Sequence, residues 1–176
     1  GRFPREEIEE AFDHFRKQLA LAGKTTNWSH LGAAITKDAT WIDCSLGHLG
    51  KREGIVREIE QRLHRVDDAA PWVQLCRFPA GEYIVDEARE SVWAFFWARF
   101  RDPGDGSRHE AKVFAELTYG GGGLFKVIET LYNPNHFEAA MASYKAAKVA
   151  YDERRVRRAK RLAEREARAR KLTPDD

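Results

Sequence analysis

Cysteine, methionine and proline are scarce in this chain: two, one and six of 176 residues. Cys44 and Cys76 lie 32 positions apart within apolar segments, which matches neither a disulfide framework nor a metal-ligand spacing, so both are expected as buried thiols. The six prolines exclude collagen-like and proline-rich linker classes. No apolar run approaches the ~18 residues that a bilayer span needs, and Gly1-Arg2-Phe3-Pro4-Arg5-Glu6-Glu7 has no apolar signal-peptide core, so a cytoplasmic protein without a membrane partner is expected. His14, His30, His64, His109 and His136 share no ligand spacing. Gly120 to Gly123 lack the Lys-Ser/Thr of a phosphate cradle and read as a hairpin turn. Neither a metal nor a cofactor is expected.

What remains is 43% hydrophobic, 11% aromatic and 33% charged, the composition of one globular domain able to bury its own core. The net charge of +2 hides a split. Residues 145–171 carry twelve lysines and arginines against four acids, a local +8, whereas the rest carries eighteen against twenty-four, or −6. The stretch from Arg154 to Lys171 has no apolar stripe, no aromatic interleaving and no DNA-binding motif, so a solvated helix or frayed tail is expected and nucleic acid is not expected as a partner. The chain divides into a domain over 1–140 and a basic helical extension over 141–176.

Pro4 followed by Glu6, Glu7, Glu9 and Glu10 starts a helix, and Ile8, Phe12, Phe15 and Leu19 form its apolar stripe up to Gly23, which suits a C′ position. Residues 28–36 fit a short second helix and 39–44 a strand, with Trp41 and Asp43 on one face and Ile42 and Cys44 on the other. Gly47 and Gly50 punctuate its exit, and 51–65 returns to helical period through Ile55, Ile59 and Leu63. From Pro71 the pattern is β: strands over 72–78, 82–86, 90–101, 110–119 and 124–132, separated by glycine- and proline-bearing turns. Asn133-Pro134 stops the last strand, and Phe137, Met141, Tyr144 and Tyr151 follow at helical spacing. Helices beside an antiparallel sheet make an α+β layer.

The order of these elements, with Ala22-Gly23, Trp28, Thr36-Lys37-Asp38-Ala39-Thr40-Trp41-Ile42-Asp43, Gly47, Gly50-Lys51-Arg52-Glu53-Gly54-Ile55 and Leu131-Tyr132-Asn133-Pro134, resembles the nuclear transport factor two-like superfamily. That superfamily includes SnoaL-like polyketide cyclases and ketosteroid isomerases. The resemblance spans residues 3 to about 140 and implies a cone: a strongly curved antiparallel sheet covered by three helices, enclosing an apolar cavity, commonly dimeric through the sheet. Asp43 matches the strand position where the isomerases hold their general base; ketosteroid isomerase, with its aspartate base and its tyrosine and protonated aspartic acid donors, is a worked reference case for such sites. The place of the tyrosine donor falls near Phe15 or Arg16, and that of the acid donor near Ala115. Steroid isomerase activity itself is therefore not expected, since oxyanion donors supply the larger share of such catalysis.

Asp43 is the leading catalytic candidate, because a carboxylate beside Trp41 in an apolar cone is desolvated, as sites using a base near neutrality require. Trp93, Phe95, Trp97 and Arg99 alternate along one strand face, so Trp97 and Arg99 are pocket candidates, with the guanidinium able to meet Asp43 or a ligand oxygen. The other face, Val92 to Phe100, has an equal claim to the cavity side. Glu129 and Tyr132 enter because SnoaL-like cyclases place an acid/base on a late strand; Glu116 and His48 are weaker candidates. Trp28, Trp41 and Phe125 belong to an aromatic stock suited to a flat apolar ligand of polycyclic, terpenoid or steroid-like shape. The function expected is binding of such a ligand with cofactor-independent acid/base catalysis as an isomerase, cyclase or hydrolase; the alternative is a non-catalytic binding or assembly module.

Overall fold

A computed structural model describes residues 1–64, 66–67, 69–70 and 72–173; Arg65 and Pro71, which bound two of the expected elements, lie outside the described residues. Helix α1 (Arg5–Thr25) buries Ile8, Ala11, Phe12, Phe15, Leu19 and Ala22 on one face. It does not stop at Gly23. Thr26 takes the left-handed turn that ends it (φ 61°), while Gly23 sits inside the helix, where a Cβ would come within 2.3 Å of the Cys76 carbonyl oxygen. The glycine is there for close approach of helix to strand rather than for termination.

Helix α2 (Ser29–Gly32) is a single turn, shorter than the expected 28–36, because Ile35 and Thr36 already belong to strand β1 (Ile35–Asp43). The glycines after Asp43 frame a short strand, β2 (Gly47–Gly50), that folds back antiparallel on β1. Helix α3 (Arg52–His64) follows, then β3 (Leu75–Arg77), β4 (Ala80–Asp86), β5 (Ser91–Phe100), β6 (Glu110–Tyr119) and β7 (Phe125–Leu131). Among the described residues these strands form one sheet in the order β2-β1-β7-β6-β5-β3, with β4 also paired to β5. Every pairing is antiparallel except β1 with β7, which is parallel. The result is the α+β cone, with the first three helices over the concave face of a curled sheet.

Period-two alternation decides what faces the cone. On β5 the buried apolar side chains are Val92, Ala94, Phe96, Ala98 and Phe100; on β6 Ala111, Ala115, Leu117 and Tyr119. Phe12 and Phe15 of α1 meet Phe96 edge-on at 6.1 and 6.2 Å between ring centroids, knitting helix to sheet. Each such fully buried apolar side chain contributes about 1.5–3 kcal/mol by removal from water.

Helix α4 (Pro134–Leu172) is capped by Asn133, whose Oδ1 accepts from the Asn135 N–H at 3.0 Å, and runs unbroken across the 140/141 boundary. Its first part packs on the body: Tyr144 stacks on Phe100 at 5.4 Å, and Tyr151 covers Gly104, where a Cβ would lie 2.3 Å from the tyrosine ring. From residue 153 onward every described residue is exposed. The cysteines are free but not buried as expected: Cys44 is exposed in the β1–β2 loop and Cys76 is half-buried on β3. Among the described residues no helix is long and apolar enough to cross a membrane.

Candidate functional site

Parallel pairing of β1 with β7 sets Trp41 opposite Ile128 and Asp43 opposite Thr130, joining positions 87 residues apart. Asp43 is the last residue of β1 and is 8% exposed. Its Oδ1 accepts the backbone N–H groups of Ser45 (2.9 Å) and Leu46 (3.0 Å), which closes the hairpin loop, and the Tyr132 hydroxyl (2.8 Å). Its Oδ2 accepts the Thr130 hydroxyl at 2.6 Å, and that hydroxyl oxygen accepts the Trp41 Nε1–H at 3.0 Å. Of the four or so lone-pair positions on a carboxylate, Oδ1 therefore meets three donors and Oδ2 one. Oδ2 keeps acceptor capacity. Burial pushes the Tyr132 hydroxyl well above the ordinary tyrosine range; the Ser45 hydroxyl pulls the other way, and the Asp43 carboxylate adds to the rise. Tyr132 is thus a donor, not a base, throughout the neutral range.

These groups edge a cavity of about 410 Å³. Its walls are apolar: Phe15 and Leu19 from α1, Leu31 from α2, Ile59 from α3, and Phe96, Ala98, Val113, Ala115 and Ile128 from the sheet. Trp28 closes one side, packed edge-on against Phe78 at 5.5 Å. At the rim stand Phe137 and the exposed charges Arg62 of α3 and Glu138 of α4. The positions matched to the isomerase donors, Phe15 and Ala115, both contribute apolar surface to this cavity, while Arg16 points away into contacts with Asp13 and the Phe12 and Tyr83 rings.

The structure thus brings Trp28, Trp41, Asp43 and Tyr132 together around one cavity. It separates the other six candidates. Trp97 and Arg99 lie on the outer face of β5, because their neighbours Phe96 and Ala98 take the inner one; Arg99 Nε donates to Glu110 Oε2 at 2.6 Å and does not reach Asp43. Glu129 is exposed on the outer face of β7, and Glu116 faces it across the strand pair. Phe125 is fully buried but packs on Phe15 and Tyr119 below the cavity rather than lining it. His48 is exposed on β2.

Thr130 is missing from the sequence candidates, although the strand face it takes is legible. Tyr132 and Glu129 are three apart, so a regular strand cannot point both the same way; period two from Tyr132 selects Thr130 and Ile128. Among the described residues no cluster of three histidine, cysteine or acidic side chains could hold a metal ion.

No family model matches the sequence, and no curated protein does. Solved structures do resemble it. One is an epoxide hydrolase of M. tuberculosis related to LEH, at a TM-score of 0.58 and 12% identity over 82% of this chain and 96% of that one. Another is TerC co-crystallised with polyporic acid, at 0.55 and 12% over 77% and 98%. A third, from Catenulispora acidiphila, has a ketosteroid isomerase-like fold and holds trimethylamine, at 0.52 and 16% over 72% and 90%. At these identities the likeness is one of fold: the chain has the nuclear transport factor two-like, or ketosteroid isomerase-like, cone.

Proposed function

We propose that the chain binds a small, flat, apolar ligand of polycyclic, terpenoid or steroid-like shape in its cone, and that Asp43 acts on it as a cofactor-independent acid–base group. The observation that carries this reading is Asp43, a buried carboxylate among the residues that line a mostly apolar cavity, with one donor on its Oδ2. A volume of about 410 Å³ falls in the range of ligand sites, roughly 300–1,000 Å³. In the proposed step Oδ2 accepts a proton from an acidic carbon or a hydroxyl of the ligand and returns it at a second position. Thr130, itself fixed by Trp41, and Tyr132 hold the carboxylate in place and stabilise its charge. A positioned base of this kind contributes about 10²- to 10⁴-fold. With Phe15 and Ala115 where an oxyanion hole would stand, the reaction suited to the site is proton transfer with little charge left on the ligand oxygen. Neighbouring folds that hold small molecules, or that are named as a hydrolase, support a ligand site in this cone.

The test is deuterium wash-in at the acidic methylene carbon of indene, a flat apolar carbon acid with no oxygen to carry charge, in D₂O, followed by NMR. Wild type is expected to accelerate exchange, and Asp43→Asn to abolish it while its tryptophan fluorescence, to which Trp28 and Trp41 at the cavity contribute, is still quenched on ligand addition. Quenching without exchange in either protein supports the second reading, a non-catalytic ligand store, which the use of Asp43 Oδ1 to close the hairpin loop favours.

The proposal includes a homodimer through the outer face of the sheet. Paired residues put Ile84 beside Trp93, and Phe114 between Phe95 and Leu131, on that face; Ile84, Trp93, Phe114 and Leu131 are exposed. Contiguous exposed aromatics of this kind mark interfaces. Phe114→Glu is expected to halve the mass measured by light scattering at micromolar concentration; an unchanged mass removes the interface from that face.

A further inference from the structure

We propose that the exposed half of α4 is a docking surface for the phosphate backbone of duplex DNA, formed by six arginines on one side of the helix. In that half the basic residues are not spread evenly. Arg154, Arg157, Arg158, Arg161, Arg165 and Arg168 follow one another at intervals of three, one, three, four and three, which at about 100° per residue gathers all six within a sector about 100° wide. Asp152, Glu153, Glu164 and Glu166 all fall outside that sector. The arginine ridge spans about 21 Å of axis at ~1.5 Å per residue. Among the described residues only Arg154 of the six has an acidic partner, Asp105 at 3.9 Å where the helix leaves the body.

Such an arrangement works against an isolated helix, since arginines three and four apart repel one another. A spacer or a merely soluble helix is better served by alternating signs. The ridge becomes favourable when a polyanion lies along it.

The rest of the helix narrows the polyanion. There is no tryptophan, phenylalanine or tyrosine beyond Tyr151, and although Val156, Ala159, Ala163 and Ala167 share the side opposite the ridge, only the valine is larger than alanine, too little apolar surface to sink into a membrane. The lack of aromatic residues leaves no large anchor for a protein interface. Guanidinium in place of ammonium at all six ridge positions matches the bidentate geometry of phosphate oxygens. A helix about 10–12 Å across fits the major groove of B-DNA, about 12 Å wide, and not the deep, narrow major groove of A-form RNA. Aromatic interleaving, whose lack argued against nucleic acid at first sight, serves single-stranded binding; duplex backbone docking needs none.

The experiment is fluorescence anisotropy of a labelled 20-base-pair random-sequence DNA duplex with the full chain, titrated between 50 and 200 mM salt. Neutralisation of six phosphates predicts a slope of log affinity against log salt approaching −5. Arg157→Gln/Arg161→Gln/Arg165→Gln is expected to weaken binding at least tenfold and to flatten that slope by about 3. The charge-matched control Arg155→Gln/Lys160→Gln/Arg170→Gln, outside the sector, is expected to change the slope by no more than about one. Circular dichroism checks that both variants keep the helix. Equal losses in the two variants, no DNA binding at 50 mM salt, or tighter binding to an RNA duplex or to anionic phosphatidylserine vesicles would each overturn the proposal.

Discussion

Along β5 the chain points Val92, Ala94, Phe96, Ala98 and Phe100 into the cone and Trp93, Phe95, Trp97 and Arg99 out of it. The outer set has the larger rings, and the inner set has the alanines. On β6 the same division holds, with Ala111 and Ala115 inside and Lys112, Phe114 and Glu116 outside. Small residues on the concave face, not large ones, leave a cavity between sheet and helices. The outer rings are instead interleaved with charge: Lys112 Nζ sits 3.9 Å from the Phe95 ring centroid and Arg99 pairs with Glu110. Ring size therefore does not mark the interior of a curved sheet; uniform apolarity does.

The comparison breaks most readily at neighbouring residues of β5. Phe96→Ala removes a ring that both Phe12 and Phe15 touch, and is expected to lower unfolding free energy by about 3–4 kcal/mol. Trp97→Ala, one residue away on the half-exposed face, is expected to cost under about 1 kcal/mol in the monomer. Urea denaturation measures both. Similar losses for the two would mean that the outer face is as fully packed as the inner one.

On β7 the pair is Thr130 and Glu129, with Asp43 as the group they separate. Asp43→Ala leaves four donors without their acceptor and is expected to destabilise by about 2–3 kcal/mol, whereas Glu129→Ala should stay within about 0.5 kcal/mol. A neutral Asp43→Ala would show that solvent already reaches those donors.

These contrasts also show why the sequence was legible in some places and not others. The first helix, the β-rich second half and Asp43 beside Trp41 follow from local period and residue type. The sense of each strand face does not, because alternation alone is symmetric; for β5 it needed the judgement that Val92, Ala94 and Ala98 form the drier side. Phe125 read as pocket because aromatic residues read as lining, but its depth below Phe15 is set by tertiary packing. The parallel β1–β7 pairing that places Thr130 at Asp43 joins strands far apart in sequence, and no local signal carries it. The four-residue strand β2 was hidden by its two glycines, which in a single sequence look like a turn.

The two faces also differ in what they titrate. The outer rings on β5 and β6 are phenylalanine and tryptophan, while Tyr132 at the cavity has its hydroxyl raised by burial first and then by Asp43. An unfolded tyrosine ionises near pH 10, so from about pH 10 upward the unfolded chain loses this proton more readily than the folded one and stability falls. Below pH 10 the contribution is complete. Tyr132→Phe is expected to be less stable than wild type by about 1–2 kcal/mol at pH 8, from the lost hydrogen bond, with the difference shrinking between pH 10 and 11. Tyr119 and Tyr144, also raised by burial, keep the remaining pH dependence in both proteins. A difference that stays constant to pH 11 would place Tyr132 in water.

The smallest effect is expected at Ala115 and Glu116, adjacent on β6 and on opposite faces. Adding methylenes to a filled core costs about 1–3 kcal/mol through strain. Ala115 borders the cavity of about 410 Å³, so Ala115→Leu has room to enter it and should change stability by less than about 1 kcal/mol while abolishing the ligand-induced quenching of tryptophan fluorescence. Glu116→Leu, pointing outward, should leave quenching intact. The pair separates two quantities that core mutations usually confound, since the inner variant alters the space without altering the fold. If Ala115→Leu instead destabilises as a filled core would, the helices close over the sheet in solution, and the space beside Asp43 is too small for any ligand of the proposed class.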